Sequence, residues 1–360
     1  MQTYPIPMVP GPVSVPPEIL AEYQVDFGSA DLEPEFLALY QQTEASLQKV
    51  MRTKNSVAIQ SGEGMLALWG ALKSCLQPGD RVLSVATGVF GYGIGDLART
   101  VGAEVRTIGL GHDQTIENWE EIEQAILEFR PKMITAVHCE TPSGTLNPLA
   151  QLGELKRRHQ VPLLYVDAVA SIGGAPVLTD AWQIDLCLGG SQKALSAPPE
   201  MCFLSISEAA WEIIEAVGYA GYDALKPFRT AVRDFYFPYT PSWHGVAALN
   251  VAAGRLLHEG LEYAWARHEA VAQYCRERVE KMGLKLFPAA GAIPAPTVTA
   301  VYVPVNLSWR ELDKRFRAHG LAVGGSYGPL AEKVFRLGHM GSQANRELVS
   351  RALDVIAAVI

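Results

Sequence analysis

Short apolar runs alternate with helical patterns through the first two thirds of the chain. The runs are rich in Val, Ile and Leu, as in RVLSVA, KMITAVH, PLLYVDA and MCFLSIS. Helical patterns lie between them at residues 64–76, 119–128 and 149–158. Because parallel strands need long crossover connections, which are usually helices, this alternation predicts an α/β fold with a mainly parallel sheet.

The pattern changes after Pro241. The later segments predict helices over residues 246–282 with a break near Gly260, a strand within 296–305, and helices over 308–319 and 344–360. Ser308, with Glu311 three residues later, is a suitable N-cap for the second of these helices. These elements predict a smaller α+β domain at the carboxyl end.

The first 20 residues contain six prolines. Proline lacks a backbone N–H, so this stretch cannot form a regular helix or a central strand. We therefore predict an extended N-terminal arm over residues 1–20, a large domain over 21–245 and a small domain over 246–360.

Composition narrows the classes of partner. The formal net charge is -8, whereas nucleic acids and anionic membranes bind basic surfaces. No apolar run approaches the roughly 20 residues that cross a bilayer, and no signal-peptide pattern is present. We expect a soluble, cytoplasmic protein with no nucleic-acid or membrane partner.

The cysteines favour a reducing compartment. There are five, an odd number for a disulfide framework, and none has the close spacing of a metal or redox motif. We expect no metal site. The five positions are Cys75, Cys139, Cys187, Cys202 and Cys275.

A lysine follows the apolar run that ends in Gly189 and Gly190. In the segment DLCLGGSQKAL, Lys193 lies in a loop of small residues directly after one strand and before another. Desolvation in such a loop lowers the pKa of a lysine and leaves a neutral amine able to form an imine. An isolated lysine after a strand is more often a surface residue, so this interpretation depends on its neighbours.

Asp167 ends the apolar run PLLYVD, at the carboxyl edge of the predicted sheet. Ligands of open α/β sheets bind at that edge. A carboxylate there can pair with a protonated pyridine nitrogen and keep a ring an electron sink. Alternatively, Asp167 caps a helix that begins near Ala168.

Three weaker sequence signals accompany Lys193 and Asp167. The glycines of QSGEGM join a strand to a helix, where backbone amides can converge on an anion. Phe90 follows another strand and could stack on a ring, although buried aromatics are usually core. Arg336 could grip a carboxylate with two parallel hydrogen bonds, although alone it would more often be structural.

Together these motifs resemble a known family. GSQKAL, VDAVAS, the SGEG turn, VHCETPSGT and RLGHMG look like the class V aminotransferases, which include alanine–glyoxylate, serine–glyoxylate and pyridoxamine–pyruvate enzymes. The resemblance covers essentially the whole chain. It implies the fold of type I enzymes that depend on pyridoxal 5'-phosphate, with a seven-stranded, mainly parallel sheet and a small C-terminal domain.

The resemblance assigns roles around the cofactor ring. Lys193 would form a Schiff base with pyridoxal 5'-phosphate or pyridoxal. Asp167 would pair with the pyridine nitrogen, and Phe90 would stack on the ring. Thr141 or Ser143 would reach the ring hydroxyl.

It also assigns a phosphate end and a substrate end. Gly64, Met65 and Gln192 match positions that usually bind the cofactor phosphate. Thr240 matches a phosphate contact across a dimer interface, which implies a homodimer or homotetramer. Arg336 would hold the carboxylate of the substrate.

Glu63 departs from the usual pattern of the family. It stands among the amides of Gly62, Gly64 and Met65, where most relatives have a small neutral residue, and a carboxylate there would repel a phosphate dianion. Pyridoxamine–pyruvate transaminases are similar in carrying a glutamate at this position. Phe237 likewise stands where phosphate-binding relatives usually have a tyrosine.

Two residues favour the other members of the family. Gln192 is the residue found in phosphate-binding relatives, and Tyr327 stands at a substrate-binding position where the pyridoxamine enzymes are expected to have a second arginine. Glu63 could also turn outward or pair with a cation. The sequence therefore predicts transfer of an amino group from pyridoxamine, or a small amino donor, to pyruvate. The alternative is a pyridoxal-phosphate-dependent alanine/serine–glyoxylate or –pyruvate aminotransferase.

Two other functions fit the sequence less well. A cysteine desulfurase needs a reactive thiol on a mobile loop in its later half, whereas Cys275 lies in a helical pattern. A regulator that senses vitamin B6 would need a DNA-binding module, for which the arm leaves no room.

Overall fold

The computed structural model describes residues 4–360 as an α/β protein with two main sheets. The strands are β1 (Ile6–Met8), β2 (Ser56–Ser61), β3 (Arg81–Ala86), β4 (Glu104–Gly109), β5 (Met133–Val137), β6 (Cys139–Glu140), β7 (Thr145–Leu146), β8 (Leu163–Asp167), β9 (Leu186–Gly190), β10 (Met201–Ile206), β11 (Val298–Tyr302), β12 (Leu321–Gly325) and β13 (Val334–Gly338). The helices are α1 (Pro17–Leu20), α2 (Pro34–Val50), α3 (Gly64–Cys75), α4 (Val89–Thr100), α5 (Trp119–Phe129), α6 (Ala150–Arg158), α7 (Glu208–Val217), α8 (Ala231–Asp234), α9 (Trp243–Glu259), α10 (Leu261–Lys281), α11 (Trp309–Ala318) and α12 (Arg346–Val359).

The larger sheet has seven strands in the order β2-β10-β9-β8-β5-β3-β4. Its ladders are parallel except for the two that flank β10. The predicted α/β fold and seven-stranded, mainly parallel sheet are thus confirmed. With six strands running the same way, their carboxyl ends meet at one edge of the sheet, and the loops after them can share one site.

Both faces of this sheet are covered. Along β8, Leu164 and Val166 pack into one apolar cluster, while Leu163 and Tyr165 pack into another on the opposite face. Such burial on both faces explains why the strands are nearly continuous apolar runs rather than alternating ones. The sheet is a rigid platform for the loops at its carboxyl edge.

The smaller sheet combines the two ends of the chain. Its order is β1-β12-β13-β11, and β1 from the N-terminal arm runs parallel to β12. The chain leaves α9 through Gly260, which has a φ of 87°, and enters α10. This turn is the predicted break in the long helical pattern. The division of the chain into an arm and two domains stays a prediction.

The sequence missed several elements of the fold. The sequence does not predict strands β1, β12 and β13, nor helix α4, whose first turn contains Phe90. Ser308 does cap α11, since its hydroxyl accepts a hydrogen bond from the Glu311 amide at 3.2 Å. Within residues 4–360, no helix combines the length and the apolar character needed to cross a membrane.

Candidate active site

The loop that carries Lys193 leaves the large sheet at the end of β9. The Ser191 amide donates to the carbonyl of Met201 on β10, and the Ser196 amide donates to the Lys193 carbonyl. These bonds fold the loop back against the sheet. Lys193 therefore projects at the carboxyl edge, where Asp167 ends the neighbouring strand β8.

Lys193 lies in a largely enclosed environment. Its Nζ donates a hydrogen bond to the backbone carbonyl of Pro10 at 2.8 Å. Burial, and then the charge of Arg336, lower the pKa of Lys193, while Cys139 and Asp167 oppose this shift. A lowered pKa favours the neutral amine, the form that can attack a carbonyl.

Asp167 is a buried carboxylate with only 8% of its surface exposed. Its Oδ1 accepts a hydrogen bond from the Val169 amide at 2.9 Å. Burial raises the pKa of Asp167 to about 6, against the opposing effect of Lys193. The segment after Asp167 forms turns and no helix begins before β9, so Asp167 is not the helix cap of the alternative interpretation.

Glu63 lies at the N-terminus of α3. Its Oε1 accepts a hydrogen bond from the Met65 amide at 2.8 Å, and the Gln192 amide nitrogen lies 3.4 Å from Oε2. The Gly62 amide donates to the Glu200 carbonyl at 2.6 Å. The sequence predicts that the Gly62 and Met65 amides face an anion; the Met65 amide donates to the Glu63 carboxylate, whereas the Gly62 amide donates to a backbone carbonyl. We call residues 62–65 with Gln192 the cup.

The cup is open to solvent in this single chain. Glu63 and Met65 are exposed, whereas Gly64 and Gln192 are buried. The Gln192 side-chain oxygen is buried without a hydrogen-bond partner among the described residues. A buried, unsatisfied polar atom of this kind is suited to a ligand that donates a hydrogen bond.

Phe90 is fixed by a carboxylate that we did not predict as a site residue. Glu140, fully buried, accepts hydrogen bonds from the amides of Gly91 at 2.6 Å and Phe90 at 3.2 Å. Burial raises the pKa of Glu140 to about 7. A Cβ at Gly88 would overlap the Glu140 carboxyl group, so a glycine is needed there. The glutamate in VHCETPSGT, directly after a buried strand, was the available signal.

Thr141 and Ser143 differ in their surroundings. The Ser143 hydroxyl is 2.8 Å from the Thr145 hydroxyl and its residue is fully buried. The Thr141 carbonyl accepts a hydrogen bond from Nη1 of Arg336 at 3.4 Å. Thr141 is therefore the one of the two in direct contact with another predicted site residue.

Arg336 is a buried cation, with 2% of its surface exposed. Its guanidinium lies over the ring of Tyr327, 4.6 Å from the centroid, and Nε donates to the Gly325 carbonyl at 2.7 Å. Burial lowers its pKa. Among residues 4–360 no carboxylate lies within ion-pair distance of Arg336, so a substrate carboxylate is a suitable partner.

Thr240 is exposed and is hydrogen-bonded outside the cup. Its hydroxyl donates to Asp31 at 2.9 Å on the surface. Phe237 packs edge-on against Phe36 in an aromatic cluster. The tyrosine near the cup is instead Tyr239, whose hydroxyl accepts a hydrogen bond from the amide next to the cup, that of Ser61, at 3.1 Å.

These groups fit a pyridoxal-type cofactor. An amine with a lowered pKa, a buried carboxylate on the neighbouring strand and a buried arginine without a carboxylate partner are brought to one edge of the sheet. When bound, the cofactor would supply an electron sink for the substrate carbon.

Comparison with known proteins decides the family. The family model "Aminotransferase class-V" matches residues 20–326. The chain belongs to the class V aminotransferases. It is an aminotransferase, its substrates are an amine and a keto acid, and enzymes of this class use pyridoxal 5'-phosphate.

Three relatives are similar to the chain over nearly its whole length. Alanine–glyoxylate aminotransferase of Oryctolagus cuniculus is 33% identical, over 95% of this chain and 89% of its own. Pyridoxamine–pyruvate transaminase of Mesorhizobium japonicum is also 33% identical, over 99% of this chain and 91% of its own. The crystal structure of pyridoxamine-pyruvate aminotransferase from Mesorhizobium loti superposes with a TM-score of 0.95 at 31% identity, covering 99% of this chain and 92% of that one.

The desulfurase alternative lacks its nucleophile in this aminotransferase. Cys275 is fully buried in α10, and burial raises the pKa of its thiol to about 12. A thiol with such a pKa is protonated at neutral pH and is a poor nucleophile. The other four cysteines are also buried.

Proposed function

We propose that this aminotransferase transfers the amino group of pyridoxamine to pyruvate, and that Lys193 forms a Schiff base with the B6 ring before or after this transfer. The observation that carries this proposal is the position of Glu63. One oxygen of its carboxylate accepts the hydrogen bond of the Met65 amide, which would otherwise be available to a phosphate. The other oxygen faces the side-chain amide nitrogen of Gln192. A negative charge on these donors disfavours a phosphate dianion and leaves acceptor oxygens for an uncharged hydroxymethyl group.

Each residue has a separate task in this proposal. Once its amine is released from the ring, Nζ of Lys193 takes a proton from the amine-bearing carbon of the donor and delivers it to the former carbonyl carbon of the keto acid. Asp167 keeps the ring nitrogen protonated, and Phe90, fixed through Glu140, limits the tilt of the ring. Arg336 holds the keto-acid carboxylate through two parallel hydrogen bonds, with Thr141 and Tyr327 beside it.

A second candidate uses pyridoxal 5'-phosphate and a small amino acid such as alanine or serine with glyoxylate or pyruvate. The exposure of Glu63 favours it, together with the long 3.4 Å contact to Gln192, since this side chain can turn into solvent. The identity of 33% to an alanine–glyoxylate aminotransferase agrees with it.

The mass of the adduct on Lys193 distinguishes the two candidates. The protein is isolated without added B6, reduced with borohydride, digested and analysed by mass spectrometry. A pyridoxyl group without phosphate on Lys193 supports the pyridoxamine function. A phosphopyridoxyl group on Lys193 in the isolated protein supports the second candidate and overturns the first.

We also propose that the active unit is a homodimer, or a homotetramer built from it, in the cytoplasm. Met65, Leu66, Tyr222 and Tyr236 are exposed large apolar side chains, and Met65 belongs to the cup. Coverage of such side chains by a second copy would close the cup and bring Thr240 of one copy to it. All five cysteines are free thiols, as in a reducing compartment. An active monomer in sedimentation would contradict this assembly.

A further inference from the structure

The N-terminal arm passes directly over Lys193. After β1 pairs with β12, the chain continues through Pro10 and Gly11, and the Val13 amide donates to the Gln192 carbonyl at 3.1 Å. The Pro10 carbonyl accepts the hydrogen bond from Nζ of Lys193 at 2.8 Å. The arm is thus bonded to the lysine and to the residue before it.

Gly11 has a backbone conformation and surroundings that disfavour other residues. Its φ is 92°, a value that favours glycine. A Cβ at this position would lie 2.6 Å from Cδ, 2.7 Å from Nζ and 2.9 Å from Cε of Lys193. Those three atoms are the flexible end of the lysine, so an added methyl group would displace the amine.

The side chain of Gln343, which is buried, holds the arm through two hydrogen bonds. Its Nε2 donates to the Val9 carbonyl at 2.9 Å, and its Oε1 accepts from the Ser14 amide at 3.0 Å. A Cβ at Gly324 would lie 2.8 Å from Cδ of Pro10, so the small sheet is also in close contact with the arm. The position of the Pro10 carbonyl is therefore determined by several independent contacts.

We propose that Pro10 and Gly11 are positioning residues that orient the amine of Lys193, an inference that rests on the proposed role of Lys193. A neutral amine has two N–H donors and one lone pair, and a carbonyl oxygen can only accept a hydrogen bond. The bond to Pro10 directs one N–H toward the arm and so turns the lone pair away from the arm. The lone pair is then oriented for attack on a carbonyl by a hydrogen bond to a neutral backbone group.

The test measures attachment of pyridoxal to Lys193 in cofactor-free protein. Attachment is stopped by borohydride at successive times and followed by mass spectrometry of the Lys193 peptide. Gly11→Ala should slow it by about two- to tenfold, the range expected when a neutral amine loses one hydrogen bond. The control is Gly291→Ala, because Gly291 also has a φ of 92° but nothing lies within 4 Å of the added Cβ. It should attach at the wild-type rate with a similar loss in Tm.

Equal slowing in the two alanine variants would overturn the inference, because backbone strain alone would then explain it. Gln343→Met provides a second variant if Gly11→Ala does not fold, since it loosens the arm without contacting Lys193. It should also slow attachment, and a wild-type rate in a folded Gln343→Met protein would overturn the inference. If pyridoxal does not attach to Lys193 in the wild type, the proposed function fails instead.

Discussion

The two ends of the site differ in how completely one chain builds them. At the ring end, Asp167 and Glu140 are buried, and Lys193 is hydrogen-bonded to the arm of the same chain. At the cup, Glu63 and Met65 are exposed, and Thr240 contacts Asp31 instead. In the proposed function, the groups for proton transfer are therefore preorganised within each chain, whereas recognition of the far end of the B6 molecule depends on an exposed carboxylate, that of Glu63.

The largest effect should come from removal of the amine at the ring end. Lys193→Ala should abolish steady-state turnover and the visible absorbance of the attached cofactor, because attachment of the ring and transfer of the proton both depend on this amine in the proposed function. Absorbance spectroscopy and a coupled pyruvate assay check this. A chromophore retained in the variant would assign attachment to another lysine.

Asp167→Asn should lower turnover by at least about 100-fold while the protein still binds the ring, because a neutral amide does not hold the ring nitrogen protonated. Stopped-flow kinetics with a binding measurement separate the two effects. Near-normal turnover would show that the ring end needs no carboxylate at this position.

The same variant should stabilise the cofactor-free protein at neutral pH. The pKa of Asp167 is raised from 3.8 to about 6, so ionisation in the folded state costs stability that is absent below pH 3.8 and is fully expressed above pH 6. At pH 8 the gain in free energy of unfolding is up to about 3 kcal/mol. Denaturant unfolding of the variant and the wild type at pH 5 and pH 8 checks the sign, and a larger gain at pH 5 would contradict it.

Arg336→Lys should raise the KM for the keto acid by about 10- to 100-fold, because a lysine keeps the charge but loses the paired hydrogen bonds. Steady-state kinetics with pyruvate and with glyoxylate measure the effect. The KM for the amine should change much less when that amine is pyridoxamine, which has no carboxylate. A KM for pyruvate that stays at the wild-type value would place the carboxylate site elsewhere.

The smallest effect should come from the cup. Glu63→Ser should shift the preference from pyridoxamine toward pyridoxamine 5'-phosphate by about tenfold, since water screens an exposed carboxylate. Glu63→Gln is the matched control, because it keeps the shape and removes the charge. Competition assays with both amines measure the ratio. An unchanged ratio in both variants would mean that Glu63 points away from the bound ring.

The parallel sheet and the ring end were predictable because their signals are local. Lys193 and Asp167 each follow an apolar strand, and the carboxyl ends of parallel strands meet. Helix α4 was missed because it contains Gly91, Gly93 and Gly95, which disfavour helices. Close packing of Gly95 against Ser84 of β3 explains why the helix forms in spite of them.

Contacts between distant parts of the chain were not predictable. Glu140 lies 49 residues from Gly91, and Pro10 lies 183 residues from Lys193. No periodicity or motif spacing indicates such pairs. The contact of Glu140 with the Phe90 segment and that of the arm with Lys193 are therefore seen only in the structure. The cup was predicted as a set of residues, but its hydrogen bonds were not, because side-chain rotamers decide them.

The pairing of β1 with β12 has a consequence for biosynthesis. Ile6 lies opposite Leu321, so β1 pairs with a strand that the ribosome makes 315 residues later. At about 5–20 residues per second, the arm waits on the order of 15–60 s for its partner. A nascent chain can therefore build the large sheet and expose Lys193 well before the arm is in place, and newly made protein would close this site only after β12 has been made.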